Sequence, residues 1–228
     1  MRSSTKNLLL GAAALALLAP AAIAQTAPAL AKPEWGAKAT PLPRVERGFT
    51  RILNAKNLDG WMQCGPGRLE RLDDGSIISR GGMGMLWYAK EQYKDFILRL
   101  DFKCQNETSN SGVFVRFPDP GDDPWIAVNQ GYEVQIDDKQ DALHKTGGIY
   151  TFGPSTFAPS KPYGEWNSYE IKVVGQHYSI KINGKSTCEF DGNRSTQGYV
   201  GVQNHSDRDQ VAFRNIRVKK LSAEKKGS

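Results

Sequence analysis

The chain contains few cysteines and no Cys-x-x-Cys pair or Cys/His spacing that would indicate structural zinc. Its 228 residues include only Cys64, Cys104 and Cys188, which we expect to be buried or incidental thiols, and the sequence does not decide whether two of them pair. Beyond the N-terminal region no segment is apolar enough, over about 20 residues, to span a membrane. The sequence also lacks an internal repeat and a G-X-Y period, so it is not collagen.

Positive charge is in excess, but it is not arranged for binding nucleic acid. The formal net charge is +6, and several of the lysines lie at the very end of the chain. No basic stripe interleaved with aromatic residues follows the predicted strands. We therefore interpret residues 222–228 as a solvated basic tail and predict neither a nucleic-acid partner nor a membrane partner.

The N-terminus has the pattern of a secretory signal peptide. Arg2 and Lys6 precede an apolar run from Leu8 to Leu18, and the small-x-small sequence at 22–24 is followed by Gln25. This pattern predicts a signal peptide over residues 1–24, and hence a periplasmic or secreted protein. The Ala- and Pro-rich residues 25–46 then read as a linker.

From residue 47 to residue 221 the pattern is one of short strands. Apolar residues alternate with polar ones at Phe96–Phe102, at Tyr169–Val173 and at Tyr178–Ile182, and Asn183-Gly184 is a hairpin turn signal. No segment shows a helical period over three turns. One all-β domain, built as a two-sheet sandwich, is the economical prediction.

Residues 131–137 separate a core face from a polar face. Successive side chains of a strand point to opposite faces of the sheet, so the apolar residues at the even positions should fill the core. Glu133, Gln135 and Asp137 should then face the other way, about 7 Å apart at each step.

Three further segments place polar or aromatic groups on the non-core face. Parity puts Arg116, Tyr150, Gln203 and His205 opposite core-facing Val or Ile residues. An ordinary solvated face would carry Lys, Glu, Thr and Ser, whereas planar polar groups and aromatic rings suit sugar hydroxyls and ring faces. The candidate walls of such a cleft are two Pro/Gly-rich stretches, Pro118–Trp125 and Phe152–Gly164.

Eight short motifs run in order through the predicted domain. They are Leu53–Trp61 (LNAKNLDGW), Asn110–Arg116 (NSGVFVR), Gly131–Asp138 (GYEVQIDD), Thr146–Tyr150 (TGGIY), Gly164–Asn167 (GEWN), Ile182–Gly184 (ING), Gly201–His205 (GVQNH) and Phe213–Ile216 (FRNI). In these motifs the chain resembles the 3-keto-disaccharide hydrolases, also described as 3-keto-glucoside-1,2-lyases and 3-keto-2-hydroxy-glucal hydratases and formerly a domain of unknown function.

The resemblance implies a fold and a reaction. The fold is a concanavalin-like jelly roll, an all-β sandwich of two antiparallel sheets with a concave substrate face, over residues 47–221. The reaction is cleavage of 3-keto-glycosides: a base removes the acidified C2 proton, the C1 aglycone leaves, and water adds back. Glu133, Asp137 and His205 are the candidate proton carriers, with His205 or Asp137 as the base.

A second set of residues is expected to bind the substrate. It consists of one arginine, three amides, two aromatics and one lysine: Arg116, Gln135, Gln203, Asn167, Tyr150, Trp166 and Lys161. Arg116 is suited to the enolate oxygen because its guanidinium is rigid and always charged. Parity places Asn167 on the core side of its strand, where a structural amide is an equally good interpretation. Many relatives carry a His soon after the segment matching Asp137-Asp138; here the nearest, His144, is displaced into the following loop.

Two other functions remain open. The spacing Glu133-x-Gln-x-Asp137 resembles the acidic strand of laminarinase-like retaining glycosidases, but Cα atoms four residues apart on a strand lie roughly 13 Å apart. A noncatalytic, lectin-like carbohydrate-binding module is the other alternative, although several ionisable groups are more than a neutral sugar requires.

The candidate partners of the chain are a divalent cation and a small saccharide. Glu133, Asp137 and His205 could form a nitrogen–oxygen site for a divalent cation, although no spacing in the sequence requires one. The substrate would be a small saccharide, and an upstream oxidoreductase that makes the 3-keto sugar would be a functional partner only.

Overall fold

The computed structural model describes residues 42–158 and 160–222. The predicted signal peptide, linker residues 25–41 and tail residues 223–228 lie outside this part of the chain. Within it there are thirteen strands and one short helix, α1 (Trp125–Gln130). No helix among the described residues is long and apolar enough to cross a membrane.

The strands form two antiparallel sheets. The eight-stranded sheet contains β1 (Thr50–Arg51), β3 (Arg68–Arg71), β4 (Ile77–Arg80), β6 (Phe96–Cys104), β9 (Asn167–Val174), β10 (His177–Ile182), β11 (Lys185–Asp191) and β13 (Val211–Lys220). Its order is β11-β10-β9-β6-β13-β4-β3, and β1 pairs with β13. The five-stranded sheet contains β2 (Trp61–Cys64), β5 (Gly84–Tyr88), β7 (Ser111–Phe117), β8 (Tyr132–Ile136) and β12 (Tyr199–Asn204), in the order β2-β5-β12-β7-β8. The predicted all-β sandwich of two antiparallel sheets is confirmed.

Local sequence patterns account for the regular strands. In β6 the residues at even positions from Phe96 to Phe102 are buried while those between them are partly exposed, as the alternation predicted. β10 and β11 are joined by Asn183 and Gly184, whose φ angles of 49° and 79° are those of a two-residue hairpin turn. Glycine and asparagine adopt positive φ at lower cost than other residues, which is why this dipeptide is found there.

The main core lies between the two sheets. The even-numbered apolar residues of β8 are at most 1% exposed and pack with buried residues of both sheets, which confirms the parity prediction for that strand. A second, smaller apolar cluster lies on the opposite face of the five-stranded sheet. There Ala127 of α1 packs over Phe114 and Phe117 of β7. The outer face of the five-stranded sheet is therefore partly covered by α1 and partly polar.

The described end of the predicted linker packs on the domain. Glu46 accepts two hydrogen bonds of 2.7 Å from Arg217 and pairs with Arg99 at 3.3 Å. The hydrogen bonds from Arg217 lower the pKa of Glu46 to about 2, although its side chain is partly exposed. The cysteines Cys64, Cys104 and Cys188 are all buried and unpaired.

Candidate active site

A cleft with two adjoining lobes lies on the polar part of the five-stranded sheet. The enclosed lobe, about 120 Å³, is lined by Met83, Asn110, Trp125, Val128, Glu133, Gln135, Tyr150, Gln203 and His205. The open lobe, about 480 Å³, is lined by Glu107, Thr108, Asn110, Asp137, Lys139, Gln140, His205 and Asp209. Asn110 and His205 line both lobes, so they stand where the lobes meet.

β8 brings its polar side chains to this cleft, as the alternation predicted. Glu133 and Gln135 line the enclosed lobe, and Asp137, just beyond the strand, lines the open lobe. Gln203, near the end of β12, and Tyr150 join Glu133 and Gln135 in the enclosed lobe. Tyr150 is held by a backbone hydrogen bond of 2.9 Å from its N–H to the carbonyl of Glu133.

Glu133 is a buried carboxyl group surrounded by amides. It is 5% exposed, and burial raises its pKa to about 8 against the opposing effect of a hydrogen bond from Gln203. In the orientation that satisfies its amide, Gln135 donates from Nε2 to Oε1 of Glu133 at 3.1 Å and to the Ser111 carbonyl at 3.0 Å. Gly112 makes room for this group, because a Cβ there would lie 2.2 Å from Oε1 of Glu133. Near neutral pH the carboxyl group is therefore mainly protonated.

Asp137 is the second buried carboxyl group of the cleft. It is 6% exposed, and burial raises its pKa, while the backbone N–H of Lys139, which donates to Oδ1 at 3.1 Å, opposes the rise. The N–H of Asp137 itself donates to Oγ1 of Thr146 at 2.7 Å, which fixes the backbone at the end of β8.

His205 is held by an aspartate in the loop between β12 and β13. Nδ1 of His205 lies 2.6 Å from Oδ2 of Asp209, and the Ser206 hydroxyl donates to the same oxygen at 2.7 Å. Asp209 is nearly buried, and its carbonyl accepts a hydrogen bond of 2.9 Å from Ser79. With the proton on Nδ1 directed to the carboxylate, Nε2 is left with a lone pair. The imidazole can then accept a proton from a bound molecule.

Two amide oxygens of the cleft have no partner among the described residues. Oε1 of Gln203 and Oδ1 of Asn110 are buried atoms without a hydrogen bond, and Gln203 as a residue is 3% exposed. A buried acceptor without a partner is costly. Hydroxyl groups of a bound sugar would satisfy both oxygens.

Arg116 does not reach the cleft, and the prediction that it faces the substrate is wrong. Val115 and Phe117 of β7 pair with Val200 and Tyr199 of β12, so Arg116 is an extra residue in a bulge, with φ 56°. A bulge interrupts the alternation of faces on which the prediction relied. The side chain is fully buried and donates to the carbonyls of Lys94 and Gly175.

Lys161, Trp166 and Asn167 also lie away from both lobes. The Trp166 ring packs against Lys103 and Arg214 on the eight-stranded sheet, with their charged groups 4.7 and 4.1 Å from its centre. Lys161 donates from Nζ to the Trp166 carbonyl at 3.0 Å. Asn167 is buried and accepts hydrogen bonds from the Lys161 N–H and the Asn183 amide, so it is a structural amide.

The described residues contain no group of three or more His, Cys, Asp or Glu side chains that could hold a metal ion. Glu133, Asp137 and His205 thus do not come together as a ligand set. His144 pairs with Asp141 at 2.9 Å and packs edge-on against Tyr150, with the ring centres 5.1 Å apart. It therefore packs on Tyr150, which lines the enclosed lobe, without lining that lobe itself.

Several lining residues were not predicted from the sequence. Asp209 lies four residues after His205, and that spacing within one loop was the available signal. Trp125, 54% exposed, comes from the first of the two predicted wall stretches, whereas the described residues of 152–164 do not line either lobe. Met83 and Asn110 directly precede strands; Asn110 begins the motif Asn110–Arg116 but was not assigned to the site, and Met83 lies in no motif.

Known proteins resemble the chain in sequence and in fold. A 3-keto-disaccharide hydrolase from Bacteroides thetaiotaomicron is 24% identical, over 79% of this chain and 81% of the relative. A solved structure of a candidate glycosyl hydrolase from Parabacteroides distasonis superposes with a TM-score of 0.66 at 22% identity, covering 77% of this chain and 94% of that one. A Bacillus subtilis protein with a galectin-like fold gives 0.57 at 14% identity, covering 75% and 94%.

The two structural likenesses agree with the predicted concanavalin-like jelly roll of two antiparallel sheets, and they are evidence of fold alone. The match to the sequence model of 3-keto-alpha-glucoside-1,2-lyase-like domains is more specific. It extends over residues 48–219, nearly all of the described domain. The chain belongs to the family of 3-keto-alpha-glucoside-1,2-lyase-like domains.

Proposed function

We propose that the protein is an exported enzyme that cleaves 3-keto-disaccharides and related 3-keto-glycosides by elimination and rehydration, with net hydrolysis. The observation that carries the proposal is that His205, paired at Nδ1 with Asp209, lines the same cleft as two buried carboxyl groups, those of Glu133 and Asp137. Family membership supports the substrate class. The named function of the Bacteroides relative supports it as well.

His205 is the base of the first step. The ketone at C3 acidifies the hydrogen at C2, and Nε2 of His205 takes that proton, leaving an enolate across C2 and C3. Its place where the lobes meet suits a base that must act next to the bond being broken. Because Asp209 accepts the proton on Nδ1, it also stabilises the imidazolium that forms.

Glu133 is the hydrogen-bond donor to the C3 oxygen. Its raised pKa keeps it mainly neutral near pH 7, and a neutral carboxyl group can donate to a carbonyl oxygen on which negative charge develops. Glu133→Gln retains a hydrogen-bond donor, so this variant should keep a measurable share of the wild-type kcat. Glu133→Ala has no such donor and should lose that activity.

Asp137 is the proton donor to the leaving oxygen. Collapse of the enolate restores the C3 ketone, forms a C1–C2 double bond and breaks the bond from C1 to the leaving oxygen, which Asp137 protonates. Water then adds at C1 and gives a proton to the Asp137 carboxylate, while the imidazolium of His205 returns its proton to C2. The product is the free 3-keto sugar.

Direct retaining hydrolysis fits the cleft less well. That mechanism needs two carboxyl groups about 5–5.5 Å apart, one of them an ionised nucleophile. Glu133 and Asp137 lie four residues apart along one strand direction and in different lobes, and Glu133 is mainly protonated near neutral pH.

The decisive experiment compares a 3-keto-disaccharide with its unoxidised parent. Purified protein is incubated with each, with and without chelator, and free 3-ketoglucose and glucose are followed by chromatography. We expect release from the keto form alone, and loss of that release in His205→Ala. Release from the parent would instead establish a glycosidase. Binding without release from either would establish a lectin-like module, and the chelator arm reports directly on any metal requirement.

The proposal also sets the protein in a reaction sequence and a compartment. Because the substrate carries a ketone at C3, an oxidoreductase acting on the C3 hydroxyl of glycosides must supply it. The secretory pattern of residues 1–24 supports a site of action in the periplasm or outside the cell.

A further inference from the structure

The two lobes of the cleft differ in kind as well as in size. The enclosed lobe has a floor of buried polar groups, Glu133, Gln135 and Gln203, each no more than 5% exposed, and the exposed indole of Trp125 on its wall. The open lobe is four times as large, has no Phe, Tyr or Trp among its described lining residues, and is bordered mostly by exposed polar side chains.

The enclosed lobe matches one sugar ring. Oε1 of Gln203, which has no partner among the described residues, requires a hydroxyl or amine donor, and the exposed indole of Trp125 is a group on which the C–H side of a sugar ring can pack. At about 120 Å³ the lobe is well below the roughly 300–1,000 Å³ of pockets for drug-sized ligands, so it is too small to hold a whole disaccharide.

The open lobe carries an excess of negative charge. Two carboxylates, those of Glu107 and Asp209, line it against one lysine, Lys139, and Asp137 is not counted because it acts as a protonated acid. Lys139 is paired with Glu107, with Nζ and Oε2 3.0 Å apart and both side chains more than half exposed. These two residues can therefore be changed without disturbing the buried groups of the site.

From these features we infer that the enclosed lobe holds the 3-keto sugar and the open lobe holds the leaving group, and that the open lobe favours neutral, hydroxyl-rich leaving groups over anionic ones. This assignment rests on the function proposed above. It places the bond to be broken where the lobes meet, beside Asn110 and His205, and it places Asp137 on the leaving-group side.

The test uses three 3-keto-glucosides that share the keto sugar and differ in the leaving group: methanol, glucose and a sugar bearing a carboxylate. The readout is the ratio of kcat/KM for the glucose-bearing substrate to that for the carboxylate-bearing one, at low salt. We expect a ratio of roughly five in the wild-type protein. Glu107→Gln should lower this ratio and Lys139→Gln should raise it, because each variant removes one charge of opposite sign from the same lobe.

Trp125→Ala serves as the matched variant of the other lobe. It should reduce kcat/KM for all three substrates by the same factor and leave the ratio unchanged. The assignment is overturned if the two charge variants do not move the ratio in opposite directions. It is also overturned if Trp125→Ala spares the methyl glycoside, since Trp125 would then contact the leaving group. Absence of turnover of all three substrates by the wild-type protein would refute the proposed function itself.

Discussion

The carboxyl group of Glu133 is buried among amides, and this environment costs the fold stability as the pH rises. The unfolded chain releases this proton near pH 4.5, whereas the folded protein retains it up to about pH 8. Between these values the folded state binds more protons than the unfolded state, so this residue's contribution to the free energy of unfolding falls with increasing pH.

Glu133→Gln should therefore be more stable than the wild-type protein in alkaline solution. We expect the free energies of unfolding of the variant and the wild-type protein to differ little at pH 4. The difference should grow between pH 4.5 and pH 8, with a slope of at most about 1.4 kcal/mol per pH unit. Urea unfolding at pH 4, 6 and 8 measures it. A difference that is the same at all three pH values would show that Glu133 does not titrate in this range.

Gly112 is the residue that leaves space for Glu133. A Cβ at position 112 would lie 2.2 Å from Oε1 and 2.6 Å from Cγ of Glu133, so Gly112→Ala must displace the side chain. We expect kcat/KM to fall roughly 100-fold with little change in melting temperature, because misplacement of a reacting group by about 1 Å has effects of that size.

The control for this variant is Gly82→Ala. A Cβ at position 82 would meet only Oδ1 of Asp207, at an ordinary 3.8 Å, and the backbone there has no positive φ. Equal losses of kcat/KM in the two variants would indicate a general effect of alanine near the cleft, and the specific role of Gly112 would be refuted.

Among the structural elements, α1 is too short to be stable by itself, since isolated helices need about 12–15 residues. It is held by Ala127, which is buried against the five-stranded sheet, and by Arg194, which donates to the carbonyls of Val128 and Gly131. The Arg194 guanidinium itself packs over the rings of Tyr132 and Phe152, 5.0 and 4.8 Å from their centres.

Arg194→Met should loosen α1 while leaving the sheets intact. We expect amide hydrogen exchange across residues 125–131 to become about tenfold faster, because two hydrogen bonds to the helix end are lost, and exchange in β9 and β10 to stay as it is. KM should rise because Trp125 is less well placed. Unchanged exchange in α1 would mean that packing of Ala127 alone holds the helix.

The elements also show which features could be predicted from the sequence. Alternation predicted the polar face of β8 correctly because that strand is regular along its whole length. The same reasoning failed for Arg116, since a bulge in β7 depends on the pairing with β12 and leaves no local pattern. α1 has too few residues for a helical period to be visible. The pairing of Asp209 with His205 depends on how the loop between β12 and β13 folds, and the sequence alone does not give that conformation.

In the whole molecule, Arg116 links the two sheets. It belongs to β7 of the five-stranded sheet, and it bonds to the carbonyl of Gly175, in the turn between β9 and β10 of the eight-stranded sheet. It also bonds to the Lys94 carbonyl and pairs with Asp95 at 3.3 Å.

Arg116→Met should destabilise the fold without altering catalysis. We expect the free energy of unfolding to fall by about 3 kcal/mol, because buried carbonyl groups lose their donor. The kcat and KM of the folded protein should stay within about twofold of the wild-type values, since the side chain does not touch the cleft. Denaturant unfolding and steady-state kinetics on the same preparation separate the two effects. Normal stability together with lost activity would indicate that Arg116 contacts the substrate.

The position of β13 has a consequence for when the protein can fold. This strand is the last of the described strands, yet it lies inside the eight-stranded sheet, between β6 and β4, and it also pairs with β1 near the start of the domain. A chain still being synthesised lacks this central strand until residues 211–220 have been made, so the eight-stranded sheet cannot close before then. Until then the sheet is incomplete, and an incompletely folded chain is what the export proposed above would require.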